Sequence, residues 1–128
     1  MLLENIDNAE FLFHLYPDGL NLRRVVVNEM LFSYDGPSVE VSIHSSQLPY
    51  ETPKEWIGEY NRIKLVLDFV EIKYLNFFGW GTMNLCDVLI DRDKNDLLKV
   101  QLRGDECNAD LTVKWIYFKS INPYLTEG

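Results

Sequence analysis

Cysteine is scarce in this sequence, and long hydrophobic runs are missing. The two cysteines among 128 residues, Cys86 and Cys107, are too few for a disulfide scaffold and match no zinc motif. We interpret them as reduced thiols of a cytosolic protein. No apolar run approaches the ~20 residues that a membrane-spanning helix needs, and Glu4 and Asp7 stand where a signal peptide carries no acid. These absences predict a cytoplasmic protein without a membrane partner.

Basic residues are also few. Twelve Lys and Arg stand against twenty Asp and Glu, which gives a net charge of −8 and a pI near 4.6. Such a surface repels nucleic acid and anionic lipid, so neither is expected as a partner. It favours encounter with a basic partner, although solubility alone also explains it.

The composition is otherwise that of an ordinary globular protein. Hydrophobic residues make up 47% and charged residues 25% of the chain, so there is enough apolar material to bury a core. The length, together with the absence of repeats and linkers, predicts a single domain over residues 1–128.

The N-terminal region predicts the one clear helix. Asp7–Glu10 has the form of a capping box, and Ile6 and Phe11 are spaced as a hydrophobic staple. Pro17 ends the helix. A helix of roughly eight residues is not stable alone, so we expect it to pack on a sheet.

Apolar and polar residues alternate over most of the remaining chain, as is typical of strands with one buried face. The clearest runs are Val39–Ile43, Ile63–Phe69, Cys86–Ile90 and Leu98–Leu102. Short turns join successive strands and favour antiparallel neighbours. These turns are Asp35–Pro37, Asp93–Asp96 and Gly104–Glu106. We predict a mostly-β fold, α+β at the margin, in which an antiparallel meander sheet curls into a sandwich or half-barrel and the helix packs on it.

Residues 46–60 form a connection that is too long for a tight turn. Thr52–Glu55 resembles a helix start and Gly58 would end the helix, which predicts a short helical turn near 53–58. Long structured loops are often functional. Aromatic residues anchor protein interfaces, and acidic neighbours speed encounter with a cationic partner. We therefore predict a partner-binding patch in this loop, made of Tyr50, Glu51, Glu55, Trp56 and Glu59.

Two points qualify this patch. The Trp56 side chain is equally compatible with a purely structural role, in which it holds the loop to the core. Acidic residues in the hairpin turns form a second predicted patch, made of Asp93, Asp96, Asp105 and Glu106.

No motif predicts catalysis, a metal or a cofactor. His14 and His44 accompany no nucleophile motif. Asp91–Asn95 resembles the opening of a calcium loop, but other residues occupy the positions of its glycine and its bidentate glutamate. Gly79–Gly81 lacks the spacing and the lysine of a P-loop and is typical of a sharp bend with an anchoring tryptophan. We expect no catalytic residue, and the chain is not predicted to be an enzyme.

Two other functions remain open. The first is a small-ligand or carbohydrate-binding module without catalysis, using Trp80 and Tyr74 on a concave sheet. The second is an enzyme of unrecognised type, which would need a deep pocket that holds His44 with two carboxylates.

The order of several features resembles the immunity protein 50 family of bacterial polymorphic toxin systems. These features are the helix ending in Leu15-Tyr16, Gly36–Val39, Pro49, Pro53–Trp56, Asn61, Ile63–Phe69, Ile72, Gly79-Trp80, Ile121 and Tyr124. The resemblance extends over nearly the whole chain. None of these pieces is catalytic.

The resemblance implies a β domain that is produced beside a secreted or contact-delivered toxin. Such a protein binds its cognate toxin domain, expected to have a basic surface, and neutralises it by occluding that surface. The resemblance assigns no role to any single residue.

Overall fold

Six antiparallel strands close into a barrel in a computed structural model that describes residues 3–127. The elements are a 3-10 turn (Leu3–Asn5), α1 (Glu10–Leu15), β1 (Val25–Ser33), β2 (Ser38–Ser45), β3 (Arg62–Gly79), β4 (Leu85–Arg92), β5 (Leu98–Gly104) and β6 (Asn108–Tyr124). Around the barrel the strands follow the order β1-β2-β3-β6-β5-β4. The mostly-β prediction is confirmed, and the sheet closes completely.

The three hairpins predicted from the turns are confirmed. β1 pairs with β2, β4 with β5, and β5 with β6, each time antiparallel. The meander is nevertheless interrupted, because β3 pairs with β6 and not with β4. The connection 80–84 therefore crosses one end of the barrel. A single-sequence pattern fixes which strands are adjacent in the chain, but it does not fix this long-range pairing.

The alternation in the sequence places one side of each strand in the core. Val39, Val41 and Ile43 of β2 are fully buried, and their partners on β3 include Leu67 and Leu65, which are also fully buried. Directly opposed residues in a sheet share a face, so these side chains define the inner wall of the barrel.

The N-terminal helix forms without the predicted capping box. α1 begins at Glu10, its N-cap is Ala9, and no side chain caps it. The backbone of Asp7 pairs with β6 instead: its N–H donates to the Ile116 carbonyl at 2.7 Å. The capping prediction is wrong because Asp7 extends the sheet before the helix starts.

The N-terminal segment covers one end of the barrel. Leu12, Leu15 and Tyr16 belong to the main hydrophobic core. The Tyr16 hydroxyl donates to the Gln47 carbonyl at 2.7 Å, and the Tyr50 N–H donates to the Leu15 carbonyl at 3.1 Å. We call this side, with the N-terminal segment and the loop 46–61, the closed end.

The loop 46–61 contains no helix. Its only regular feature among the described residues is one turn, in which the Trp56 N–H donates to the Pro53 carbonyl at 3.1 Å. Of the helical turn predicted near 53–58, this one turn forms; Gly58 follows at φ +90°, and the further hydrogen bonds that sustain a helix are not made among the described residues.

Candidate functional site

At the end opposite the closed end, the inner wall of the barrel reaches solvent. Phe32 lies opposite Val39, and Phe77 lies opposite Ala109; both partners are fully buried. The two phenylalanines therefore stand on the core face of the sheet. They are nevertheless 52% and 37% exposed. We call this side, with the turn 34–37 and the connection 80–84, the open end.

Among residues 3–127, four side chains line a cavity of about 280 Å³ at the open end: Met30, Phe32, Phe77 and Trp80. We call them the aromatic mouth. The ring centroids of Phe32 and Phe77 are 5.9 Å apart, and those of Phe77 and Trp80 are 6.2 Å apart. Both pairs meet edge to face, which is a favoured geometry for aromatic rings. The mouth is thus an ordered cluster, although water reaches it.

The connection 80–84 holds Trp80 in this cluster. The Asn84 side chain is buried and accepts a hydrogen bond from the Gly81 N–H at 2.7 Å. The Asn84 carbonyl accepts from the Val27 N–H at 3.0 Å, which ties the connection to β1. The Glu106 carboxylate accepts from the Met83 N–H at 3.2 Å. The last two hydrogen bonds attach the connection 80–84 to β1 and to the turn between β5 and β6.

The glycine after Trp80 is required by close packing. A Cβ at Gly81 would lie 2.7 Å from the side chain of Glu106. The sharp bend expected at Gly79–Gly81 therefore serves to bring the connection against the turn between β5 and β6.

More apolar side chains are exposed at this end of the barrel, some of them on its outer face. They lie on the strand ends and turns of the open end: Leu31, Tyr34, Leu75, Phe78 and Met83. Clusters of exposed apolar side chains mark interaction sites more often than single ones do. This surface was not predicted from the sequence, although the alternation of Met30 and Phe32 with Leu31 and Ser33 places two of its members on one face.

The predicted patch in the loop 46–61 lies at the closed end. Tyr50, Glu51, Glu55 and Glu59 are exposed there. Trp56 is half-buried, packs against the core and meets the Tyr60 ring edge to face at 5.7 Å. Ile57, which the sequence analysis did not select, is 89% exposed. The structural role considered for Trp56 therefore has support, and the patch stays a prediction.

The four turn acids of the second predicted patch lie at the two ends of β5. Asp93 and Asp96 precede that strand, and Asp105 and Glu106 follow it. Seven residues of strand separate the pairs by about 20 Å. The four side chains therefore do not form one continuous patch.

Three of these acids also have local partners. The Asp93 carboxylate accepts hydrogen bonds from the N–H groups of Asn95 and Leu97. Asp96 forms an ion pair with Arg92 at 3.0 Å, and Glu106 binds Met83 as described above. Asp105 is exposed in the same turn as Glu106.

The residues of the two alternative functions are not brought together. Trp80 lines the inner mouth, whereas Tyr74 lines a separate cavity with Lys99 and Gln101. His44 lines a cavity on the outer wall, and none of the described residues around that cavity is acidic.

No group of three or more His, Cys, Asp or Glu within residues 3–127 could hold a metal ion. In the same part of the chain, no helix is both long and apolar enough to cross a bilayer.

The model of one protein family, described as immunity protein 50, matches residues 8–124. The chain belongs to the immunity protein 50 family. The match includes α1, all six strands and every member of the aromatic mouth. No curated protein and no solved structure matches the chain. Within this family, the site must therefore be chosen from the chain's own geometry.

Proposed function

We propose that the chain is a cytoplasmic immunity protein that binds a cognate bacterial toxin domain and neutralises it by covering its surface, without catalysis. The aromatic mouth is the main contact in this proposal. The observation that supports it is the exposure of Phe32 and Phe77 on the core face of the sheet.

The chemistry of the mouth suits a protein partner. Tryptophan and other aromatic side chains concentrate the binding energy of protein interfaces when a partner excludes water from them. Phe77 contacts both Phe32 and Trp80, so these rings lose little conformational freedom on binding. Because binding needs to order these side chains only slightly, more of the free energy of contact remains as affinity.

The charge of the chain suits a basic toxin surface. The net charge is −8, and Asp35 and Asp105 are exposed in turns of the open end. Acidic groups around an apolar centre accelerate encounter with a cationic partner and orient it. They also disfavour association of two copies of the chain through the same acidic surface.

The acidic loop at the closed end is the second candidate surface. Tyr50 is 83% exposed, and the neighbouring carboxylates Glu51, Glu55 and Glu59 are exposed as well. The mouth is favoured because its aromatic side chains form one contacting cluster. In the loop, Trp56 is already packed on the core.

The function is tested with the toxin domain encoded next to the gene for this chain. We expect that domain to arrest bacterial growth when expressed alone, and growth to recover when the chain is co-expressed. Purified together, the two proteins should elute as one stable complex. Growth arrest that persists at full expression of the folded chain, with no complex formed, would contradict the proposal.

A further inference from the structure

A second cavity, of about 370 Å³, lies on the outer wall of the barrel. His44 lines it and follows the inward-facing Ile43 in β2, so its side chain points away from the core. Arg62 and Tyr124, which are paired across β3 and β6, also line it. Arg24 lines the cavity from the segment before β1. The cavity is therefore separate from the aromatic mouth.

The charges around this cavity are opposite to those of the chain. Two arginines, Arg24 and Arg62, line it, and none of the described lining residues is acidic. Neither arginine takes part in an ion pair among residues 3–127. Arg24 also lines a neighbouring cavity with Asp87 and Asp105, and the Asp87 carboxylate accepts a hydrogen bond from the backbone N–H of Arg24 at 2.8 Å. In a chain with twenty acidic residues, two unpaired guanidinium groups at one cavity call for an explanation.

The backbone at Arg24 is strained. Its φ of +52° lies in the left-handed region, which a long side chain rarely adopts. The hydrogen bond that the Arg24 N–H donates to the Asp87 carboxylate holds this conformation. Strained residues of this kind are concentrated at binding and catalytic sites, where the surrounding structure maintains them.

Two further polar groups meet at the cavity. His44 Nδ1 and the Tyr124 hydroxyl are 2.7 Å apart, and their rings meet edge to face. The Nε2 atom of His44 is buried and has no hydrogen-bond partner among the described residues. Burial and the nearby Lys64 ammonium lower the pKa of His44, so the ring is neutral at neutral pH. The arginines then supply the positive charge of the cavity, and the Tyr124 hydroxyl adds a hydrogen-bonding group.

We propose that this cavity binds a small organic anion through a phosphate or carboxylate group held by Arg24 and Arg62. Arginine presents several N–H donors in a plane that matches both groups. The volume falls within the range of small-ligand sites. The Tyr124 hydroxyl, positioned by His44, would orient the bound group.

The test uses the full chain and two probes, inorganic phosphate and acetate, at an ionic strength kept constant with sodium chloride. Binding is followed by calorimetry and by the backbone amide shifts of β2 and β3. We expect saturable binding of at least one probe. Saturation by phosphate alone identifies phosphate esters as the ligand class, and saturation by acetate alone identifies carboxylates. Failure of both probes to saturate would overturn the proposal.

Variants locate the site. Arg24→Asn removes the charge with a residue that tolerates a left-handed backbone, and Arg62→Gln removes the second charge. Each should weaken binding about tenfold or more, because a hydrogen bond to a charged group contributes at least that factor. Arg23→Asn is the matched control, since Arg23 is exposed and does not line the cavity.

Circular dichroism and thermal unfolding confirm that each variant is folded before it is titrated. If Arg62→Gln does not fold, Arg62→Lys replaces it and should retain part of the affinity. Equal binding by Arg24→Asn, Arg23→Asn and the unchanged chain would overturn the proposal. Toxin binding by Arg24→Asn is measured in parallel, and we expect it to be unchanged because this site does not depend on the aromatic mouth.

Discussion

At the closed end of the barrel, the N-terminal segment covers the core, and Leu12 and Leu15 are buried. At the open end, Phe32 and Phe77 stand on the same core face of the sheet and remain partly in water. Full burial of a large apolar side chain contributes about 1.5–3 kcal/mol. Burial of Leu12 and Leu15 therefore stabilises the closed end in full, whereas Phe32 and Phe77 contribute only part of that free energy at the open end.

The difference between the two ends indicates where a bound partner would bury the most apolar surface. In the proposed complex, a toxin that covers the mouth would remove from water apolar surface that the fold itself leaves exposed. At the closed end, the corresponding surface is already buried by the chain. The closed end also exposes apolar side chains, among them Phe11, Phe13, Tyr50 and Ile57, together with acidic residues such as Glu55.

The largest expected effect is a difference in the free energy of unfolding between a substitution at the closed end and one at the open end. Leu12→Ala should lower the free energy of unfolding by about 2–5 kcal/mol, because it leaves a cavity in the core. Phe32→Ala should lower it by about 1 kcal/mol, since half of that ring is already exposed. Urea unfolding measures both. An equal loss for the two variants would mean that the mouth is an ordinary part of the core.

A second prediction concerns the frame that supports the open end. A Cβ at Gly104 would collide with the backbone oxygen of Leu85, so Gly104→Ala should cost about 3 kcal/mol. Gly36 has open space around it and a φ of +72°. Gly36→Ala should therefore cost only about 1 kcal/mol, from backbone strain. Thermal unfolding of the two variants provides the comparison, and a larger loss for Gly36→Ala would refute it.

A third prediction concerns the pH dependence of stability and involves residues outside the aromatic mouth. Burial, with the Cys107 thiol nearby, raises the pKa of Cys86 to about 12, and burial also raises the pKa of Tyr16. The unfolded chain loses these protons near pH 9–10, while the folded chain keeps them. The contribution of these groups to stability should therefore be complete below about pH 8 and should fall as the pH rises towards 12, by up to about 1.4 kcal/mol per pH unit for each group.

Unfolding measured from pH 8 to pH 11 tests this slope. Tyr16→Phe should flatten it, whereas Tyr34→Phe, at an exposed position of the open end, should leave it unchanged. A slope that is the same in all three proteins would show that Tyr16 does not titrate on unfolding.

The smallest effect is expected from salt. The rate of association with the toxin should fall as sodium chloride is added, because exposed charges are screened within about 8 Å at physiological ionic strength. Stopped-flow measurements at several salt concentrations give this rate. An association rate that does not change with salt would remove electrostatic steering from the proposed function.

Much of the fold could be predicted from local patterns. The alternation in β2, β4 and β5 identifies strands, and the turns at Asp35–Pro37 and Asp93–Asp96 identify hairpins, because both signals are confined to a few residues. The closure of the barrel depends on pairing between Val25 and Cys86, which are far apart in sequence. No local signal specifies that pairing.

The site was harder to predict than the fold. Glu51 and Glu55 attract attention in a sequence because acidic residues in a long loop are expected to be exposed. Phe77 resembles a core residue, since its alternation places it on the buried face of β3. In the closed barrel, β2 pairs with β3 only as far as Val70. Beyond that residue the inner face of β3 is no longer fully covered, and water reaches Phe77.

The most direct test of the mouth as the toxin-binding surface compares two single variants in one binding assay. Trp80→Ala removes an aromatic side chain at the open end, and Tyr50→Ala removes one at the closed end. We expect the toxin affinity of the first variant to fall more than about tenfold and that of the second to change less than about twofold. Full affinity after Trp80→Ala, together with a large loss after Tyr50→Ala, would contradict this assignment and place the contact on the acidic loop.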